Sequence, residues 1–199
     1  MQLSKNFSLE ELCASSKAKE LQIINQVTDA VHLQALKALA EEVLQPIRDM
    51  RGGPVTVTSG YRQPALNEAV GGTPKSQHPK GEAADITVGS PADNKDLFEQ
   101  IARSDIPYDQ LICEFGGEWL HVSHRLHGPQ RRQVLEQIKL NSSLRHKLDD
   151  AHTETAVCRI MYCRNSKCIQ RDPPFGSDAE GVVGKLKEQS KAAYEGGSE

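Results

Sequence analysis

The clearest periodic pattern along the chain is helical and covers residues 31–50. Apolar residues recur there at intervals of three and four, which is the spacing of one face of an α-helix. They are Val31, Leu33, Leu36, Leu39, Val43, Leu44 and Ile47. The pattern predicts a long amphipathic helix, with Pro46 kinking or shortening its last turn and Gly52-Gly53 ending it.

Four β-strands are predicted downstream of this helix. Residues 54–59 alternate with period two and are rich in β-branched side chains, and residues 83–88 form a second apolar run. Residues 109–115 and 118–123 are two further strands, separated by Gly116-Gly117, the residues expected in a tight hairpin turn.

Three more helices are predicted downstream of the long one. Residues 61–70 form a short helix, and Ser90 caps a longer helix that has Pro91 at its first position and reaches about Arg103. Residues 130–139 are basic and polar, and we expect them to form a helix after the hairpin.

Composition describes an ordinary globular chain. Its 199 residues are 37% hydrophobic with a net charge of -3, so no overall attraction to nucleic acid or to an anionic membrane is expected. No apolar run approaches the roughly 20 residues of a membrane span. We therefore expect a monomer with neither a nucleic-acid nor a membrane partner. An odd count of five cysteines, with Cys13 and Cys113 isolated, favours a reduced compartment.

The two ends of the chain differ from the middle. The first eleven residues lack the apolar segment of a secretory signal peptide. Residues 141–199 have few large apolar side chains and no clear period, which predicts a C-terminal extension of unknown role, partly helical and partly disordered. Three cysteines in it, Cys158, Cys163 and Cys168, stand near His152 without a familiar metal-binding spacing.

Two imidazoles and one carboxylate carry the chemistry. His78 lies in a loop bounded by glycine and proline, Asp85 lies in the strand that follows, and His121 lies in the second hairpin strand. Three such ligands with an open water position make a catalytic zinc site.

Each of these residues also has a structural explanation when it is taken alone. Asp85 is costly in an apolar strand unless it is paired, and a capped turn or a buried ion pair with Arg62 would stabilise it equally well. His121 alone would be a core histidine bonded to a backbone group. Because all three are ligand types on or beside one sheet, together they favour a metal site.

Five separated blocks of sequence resemble the zinc D-Ala-D-Ala carboxypeptidase family, which also holds L,D- and D,D-endopeptidases. The blocks are Thr58-Ser59-Gly60-Tyr61-Arg62, Leu66-Asn67 with Val70-Gly71-Gly72, Ser76-Gln77-His78, Gly81-Glu82-Ala83-Ala84-Asp85 and Trp119-Leu120-His121-Val122-Ser123. The resemblance covers about residues 3–133 and includes the run Phe7-Ser8-Leu9-Glu10-Glu11-Leu12. Within the family, the chain looks most similar to the phage and prophage branch.

The resemblance implies an α+β fold, a small central antiparallel sheet with flanking helices, over residues 1–140. It implies one zinc ion, with His78, Asp85 and His121 as ligands. Arg62 stands where the family has an arginine that contacts the substrate and the developing oxyanion, although a surface or ion-pairing arginine is the plainer interpretation.

Two further residues are candidates for substrate binding. Ser76 could bond a ligand or the substrate, and a loop-capping role is equally compatible with its position. Trp119 shares a strand face with His121 and could wall a cleft or belong to the core.

The general base has two candidates, Glu114 and Glu118. Some family members carry an acid three residues before the last histidine, which is Glu118, whereas others place it near the start of the hairpin, which is Glu114. A two-residue turn would pair Glu114 with Trp119 and Ile112 with His121, so that Glu114 faces the zinc side. This alternation of side chains along the strand favours Glu114 as the base. A β-bulge near Glu118 would direct Glu118 to the zinc side instead.

The sequence thus predicts a zinc metallopeptidase that hydrolyses stem peptides of bacterial peptidoglycan. The bond is either terminal D-Ala-D-Ala or internal, as in an endolysin or a virion-associated lysin, and a holin would release an enzyme without a signal peptide. The alternative is a non-catalytic zinc module of the same fold, as in the related hedgehog signalling domain.

Overall fold

A six-stranded β-sheet organises the protein, in a computed structural model that describes residues 1–139 and 157–162. The order across the sheet is β1-β2-β4-β3-β5-β6. The strands are β1 Thr56–Ser59, β2 Ala83–Thr87, β3 Gln110–Glu114, β4 Trp119–Ser123, β5 Gln133–Lys139 and β6 Val157–Tyr162. With the helices that flank it, the sheet confirms the predicted α+β class.

Within residues 1–139 and 157–162, six α-helices accompany the strands. They are α1 Leu9–Cys13, α2 Ser16–Glu20, α3 Ala30–Leu39, α4 Gln45–Arg51, α5 Pro64–Ala69 and α6 Pro91–Arg103. The helix predicted at residues 90–103 has a complete capping box, since Ser90 and Asp93 each bond the other's backbone N–H. In the part of the chain that the structure describes, no helix is both long and apolar enough to cross a bilayer.

The predicted long helix is continuous but irregular at one place. A π-helical segment, Ala40–Leu44, joins α3 to α4. Pro46 has no N–H to donate, and just before it the Gln45 N–H bonds to the Ala40 carbonyl, five residues back. The proline therefore falls beside a wider turn, and the helical run continues to Arg51.

The buried face of this helical run packs on one face of the sheet. Ala84 and Ile86 of β2 and Leu120 and Val122 of β4 are fully buried in one apolar cluster. The cluster also contains Leu36, Leu39, Val43, Leu44 and Ile47 from the helices. Because side chains alternate along a strand, the residues between these, Asp85 and His121, are directed to the opposite face.

The helix predicted for residues 130–139 is wrong. Most of that segment is β5, which pairs in parallel with β3 from Gln110↔Gln133 to Cys113↔Glu136. Its polar composition suggested a helix, but β3 offers an edge for hydrogen bonding, and Val134 and Leu135 are buried. The sheet is therefore mixed, with antiparallel pairs among β1, β2, β4 and β3.

Part of the predicted extension also belongs to the sheet. β6 pairs antiparallel with β5 along its length, from Val134↔Tyr162 to Lys139↔Val157, and it contains Cys158. His152, Cys163 and Cys168 lie outside the described residues, as does most of the segment predicted to be partly disordered. The domain boundary at residue 140 stays a prediction.

The hairpin between β3 and β4 has the predicted register. Glu114 pairs with Trp119 and Ile112 with His121. The connection is wider than the expected two residues, because β3 ends at Glu114 and β4 begins at Trp119. The Asn94 side chain, fully buried on α6, donates to the carbonyl groups of Gly117 (2.8 Å) and Glu118 (3.2 Å) and ties the turn to the helix.

Two neighbouring glycines in this turn test how closely it packs on α6. Both have positive φ, 79° at Gly116 and 97° at Gly117, but a Cβ would meet no atom within 4 Å at Gly116 and would lie 2.5 Å from the Pro91 carbonyl oxygen at Gly117. We expect Gly116→Ala to lose about 1–2 kcal/mol from backbone strain alone. Gly117→Ala should lose about 1–3 kcal/mol more, because it also overpacks the contact. Urea denaturation of both variants measures the difference, and equal losses would show that α6 does not confine the turn.

Candidate metal centre

Asp85 and His121 face one another across adjacent strands. Their Cα atoms are direct partners in the β2–β4 ladder, and both side chains project from the sheet face opposite the apolar core. The Nδ1 atom of His121 lies 2.9 Å from Oδ1 of Asp85. The sheet register by itself therefore places two of the three predicted ligands side by side.

His78 reaches the same carboxylate from outside the sheet. It begins a short 3₁₀ turn, His78–Lys80, which ends at Gly81 with a φ of 73° before the chain enters β2. Its Nε2 lies 3.4 Å from Asp85 Oδ1, and its Nδ1 lies 2.7 Å from the Gly60 carbonyl oxygen. Since a carbonyl only accepts, Nδ1 carries the proton, and the Nε2 lone pair is left to accept from Nη2 of Arg62, 3.1 Å away.

The three side chains fit a zinc ion. One nitrogen from each imidazole and one carboxylate oxygen all lie within 4.8 Å of one another. Tetrahedral zinc with bonds near 2.0–2.1 Å needs ligand atoms about 3.3 Å apart, close to the observed separations from Asp85 Oδ1. The Gly60 carbonyl supplies the outer hydrogen bond that fixes the orientation of a ligating histidine.

The charge states of these residues also suit a metal. Burial lowers the pKa of His78, although the nearby Asp85 charge opposes that shift, so the imidazole keeps its lone pair. Burial raises the pKa of Asp85, but interactions with His78 and His121 outweigh burial and hold it well below its ordinary value. A neutral imidazole and an ionised carboxylate are the forms that bind metal.

Arg62 holds the second oxygen of Asp85. Its Nη2 donates to Asp85 Oδ2 at 2.6 Å and contacts His78 Nε2 at 3.1 Å, while its Nε donates to Ser59 Oγ at 2.8 Å. The predicted ion pair and the predicted ligand cluster are thus both present. Oδ1 faces the imidazoles and Oδ2 faces the guanidinium, so Arg62 orients the carboxylate.

An open cleft lies over this cluster. Its lining includes the three candidate ligands and Arg62, together with Ser76, Ile112, Glu114, Phe115 and Trp119. The Trp119 ring packs edge-on against Phe115 with centroids 5.1 Å apart, so it forms part of the wall. The Ser76 Oγ accepts a bond from the His78 N–H at 3.4 Å, which is the loop-capping role, and a contact to substrate stays a prediction.

The two candidate bases differ in their surroundings. Glu114 lines the cleft and is half-buried, on the strand face that also carries His121. Glu118 lies in the turn, is exposed, and is not part of the lining. This is the arrangement expected from the hairpin register.

Sequence analysis missed one side of the cleft. Gln110, Arg131 and Gln137 contribute to its lining, and two of them come from the segment that was expected to be a helix. The fully buried Asp109, immediately before β3, bonds Arg131. The sequence does show an acid, Asp109, at the start of a predicted strand. Its partner Arg131 lies in the segment that was predicted to be a helix, so their pairing could not be foreseen.

Comparison with protein-family models finds a match to Peptidase M15 over residues 5–123. The matched region contains all three candidate ligands, Arg62 and both glutamates. The chain belongs to the Peptidase M15 family. Comparison with curated proteins finds no match.

This membership identifies the class of the protein. Peptidase M15 proteins are zinc-dependent metallopeptidases, so the chain is a hydrolase of that class. The cluster of His78, Asp85 and His121 is its candidate zinc site, and its donor set agrees with that metal.

Removing one ligand should remove the metal. We expect His121→Ala to lose stoichiometric zinc, because two remaining ligands bind too weakly to retain the ion through dialysis. His127→Ala is the matched control, since His127 is exposed and lies outside the cluster, and it should keep zinc. Metal analysis of both purified variants checks the assignment, and full zinc occupancy in His121→Ala would contradict it.

Proposed function

We propose that the protein hydrolyses peptide bonds in the stem peptides of bacterial peptidoglycan. The observation that carries the proposal is the joint placement of the candidate metal centre, Arg62 and Glu114 along one open cleft. A binding site needs none of these reactive groups together, whereas peptide hydrolysis needs all of them.

Each residue has a distinct task. Bound zinc supplies a Lewis acid for the scissile carbonyl and lowers the pKa of water to about 7. A carboxylate oxygen of Glu114 accepts a proton from the attacking water and returns it to the nitrogen of the leaving amine. Arg62 is anchored through Nε and Nη2, and its remaining N–H groups donate to the carbonyl oxygen as negative charge develops.

The cleft walls orient the substrate. Trp119 packs on Phe115 and offers a flat apolar surface to the cleft, and Ser76 offers a hydroxyl from the loop before His78. The cleft is open, which suits a peptide held within a larger polymer as well as a free peptide. The cleaved bond is either the terminal D-Ala-D-Ala bond or an internal bond of the stem.

The sequence resemblance to phage and prophage enzymes favours a lysin. In that setting the protein acts on the cell wall either after release by a holin or as part of a virion. The competing function is a non-catalytic zinc module of the same fold. The presence of Glu114 in the lining of the cleft favours catalysis over the non-catalytic module.

Cleavage of purified stem peptides tests the function. We expect the zinc-loaded protein to cleave pentapeptide or cross-linked stem peptides, and we expect cleavage to stop when a chelator is added. Mass spectrometry of the products identifies the bond that is cleaved. Zinc-loaded protein that leaves every stem peptide intact would favour the non-catalytic module.

Replacing each glutamate by glutamine tests which of the two is the general base. Glu114→Gln should retain zinc and lose about 10²–10⁴-fold in kcat, because the amide cannot accept the proton. Glu118→Gln is the matched control and should change kcat little, since Glu118 is exposed in the turn. Rates are compared at equal zinc content, and an inactive Glu118→Gln beside an active Glu114→Gln reverses the assignment.

A further inference from the structure

The side of the cleft that sequence analysis missed contains a fixed cation. Arg131 forms a bidentate ion pair with Asp109. Its Nε lies 2.9 Å from Oδ1 and 3.1 Å from Oδ2, and its Nη2 lies 2.6 Å from Oδ2. The Arg131 backbone N–H donates to the same carboxylate at 3.0 Å. Asp109 is fully buried, whereas the Arg131 side chain is 48% exposed and lines the cleft.

This geometry leaves one edge of the guanidinium available. Nε and Nη2 are occupied by Asp109, and among residues 1–139 and 157–162 Nη1 has no hydrogen-bond acceptor. The buried partner fixes the plane of the guanidinium, so its outer edge is oriented before a ligand arrives. A planar pair of N–H donors held in this way matches a carboxylate better than any neutral group.

The strand register gives the position of this cation relative to the metal centre. Ile112 pairs with His121, and Asp109, immediately before β3, lies three residues earlier in the chain. Three residues of strand span about 10 Å. An extended peptide covers a similar distance with two or three residues.

We infer that Arg131 is a specificity-determining residue that binds a carboxylate of the substrate two or three residues from the scissile bond. This inference rests on the proposed function, in which the substrate is a stem peptide, and it requires that this peptide contain an internal acidic residue.

Two synthetic stem peptides test the inference, one with the internal carboxylate and one with a carboxamide there. The full-length zinc-loaded protein should show a KM about 10- to 100-fold lower for the acid, the range of a charge-assisted hydrogen bond. Arg131→Gln should raise KM for the acid by a similar factor, leave kcat nearly unchanged and remove the discrimination. Arg125→Gln is the control of equal charge change, since Arg125 does not line the cleft, and it should discriminate like the unaltered protein.

A second variant controls for misfolding of Arg131→Gln. Arg131→Gln leaves the buried Asp109 without its cation, so the double variant Asp109→Asn/Arg131→Gln, which buries no unpaired charge, is measured beside it. Loss of discrimination in the folded double variant supports the inference. Retained preference for the acid overturns it.

A binding measurement separates this inference from the proposed function. If the unaltered protein cleaves neither peptide, the proposed function fails, and calorimetric titration of the zinc-loaded protein with both peptides decides the role of Arg131. Tighter binding of the acid that disappears in Arg131→Gln supports the carboxylate site. Equal binding of the two peptides, or binding of neither, overturns it.

Discussion

The ionised carboxylate of Asp85 is the constraint on which the site depends. A buried charge in an apolar strand costs several kcal/mol unless other groups stabilise it. Arg62, His78 and His121 all converge on Asp85, and they come from a loop, a 3₁₀ turn and a neighbouring strand. Satisfying one carboxylate therefore brings four separate parts of the chain together, and that convergence creates the metal centre.

The same strands serve stability and chemistry. In β2 and β4, alternate residues enter the apolar core, and those between them include Asp85, Trp119 and His121, which line the cleft. A change of one residue in the register would exchange the two faces, placing Asp85 in the core and Ile86 in the cleft. The apolar cluster thus fixes the register, and the register fixes the positions of the ligands. Asn94 extends this control to the hairpin turn, which follows Glu114.

The cleft extends beyond the region that defines the family. Residues 5–123 match Peptidase M15 and contain the candidate metal centre, whereas Arg131 and Gln137 lie after the matched region. β5 joins the sheet beside β3 and brings these two residues to the cleft. The matched part of the chain thus contains the candidate ligands, Arg62 and Glu114, and the part that follows adds Arg131, the residue of the proposed carboxylate site.

The sequence by itself determined the α+β class, the helical run of residues 31–50, the first four strands, the hairpin register and the ligand cluster. The elements depend on local periodicity and turn residues, which are readable one segment at a time. The three ligands were predicted only as a set, from their residue types and from the resemblance to a known family, because each alone has a structural explanation. Tertiary structure decided the rest. β5 has a polar composition that suits a helix, and it is a strand because β3 presents an unpaired edge. The pairing of Arg131 with Asp109 joins residues 22 positions apart, and no local pattern records such a contact.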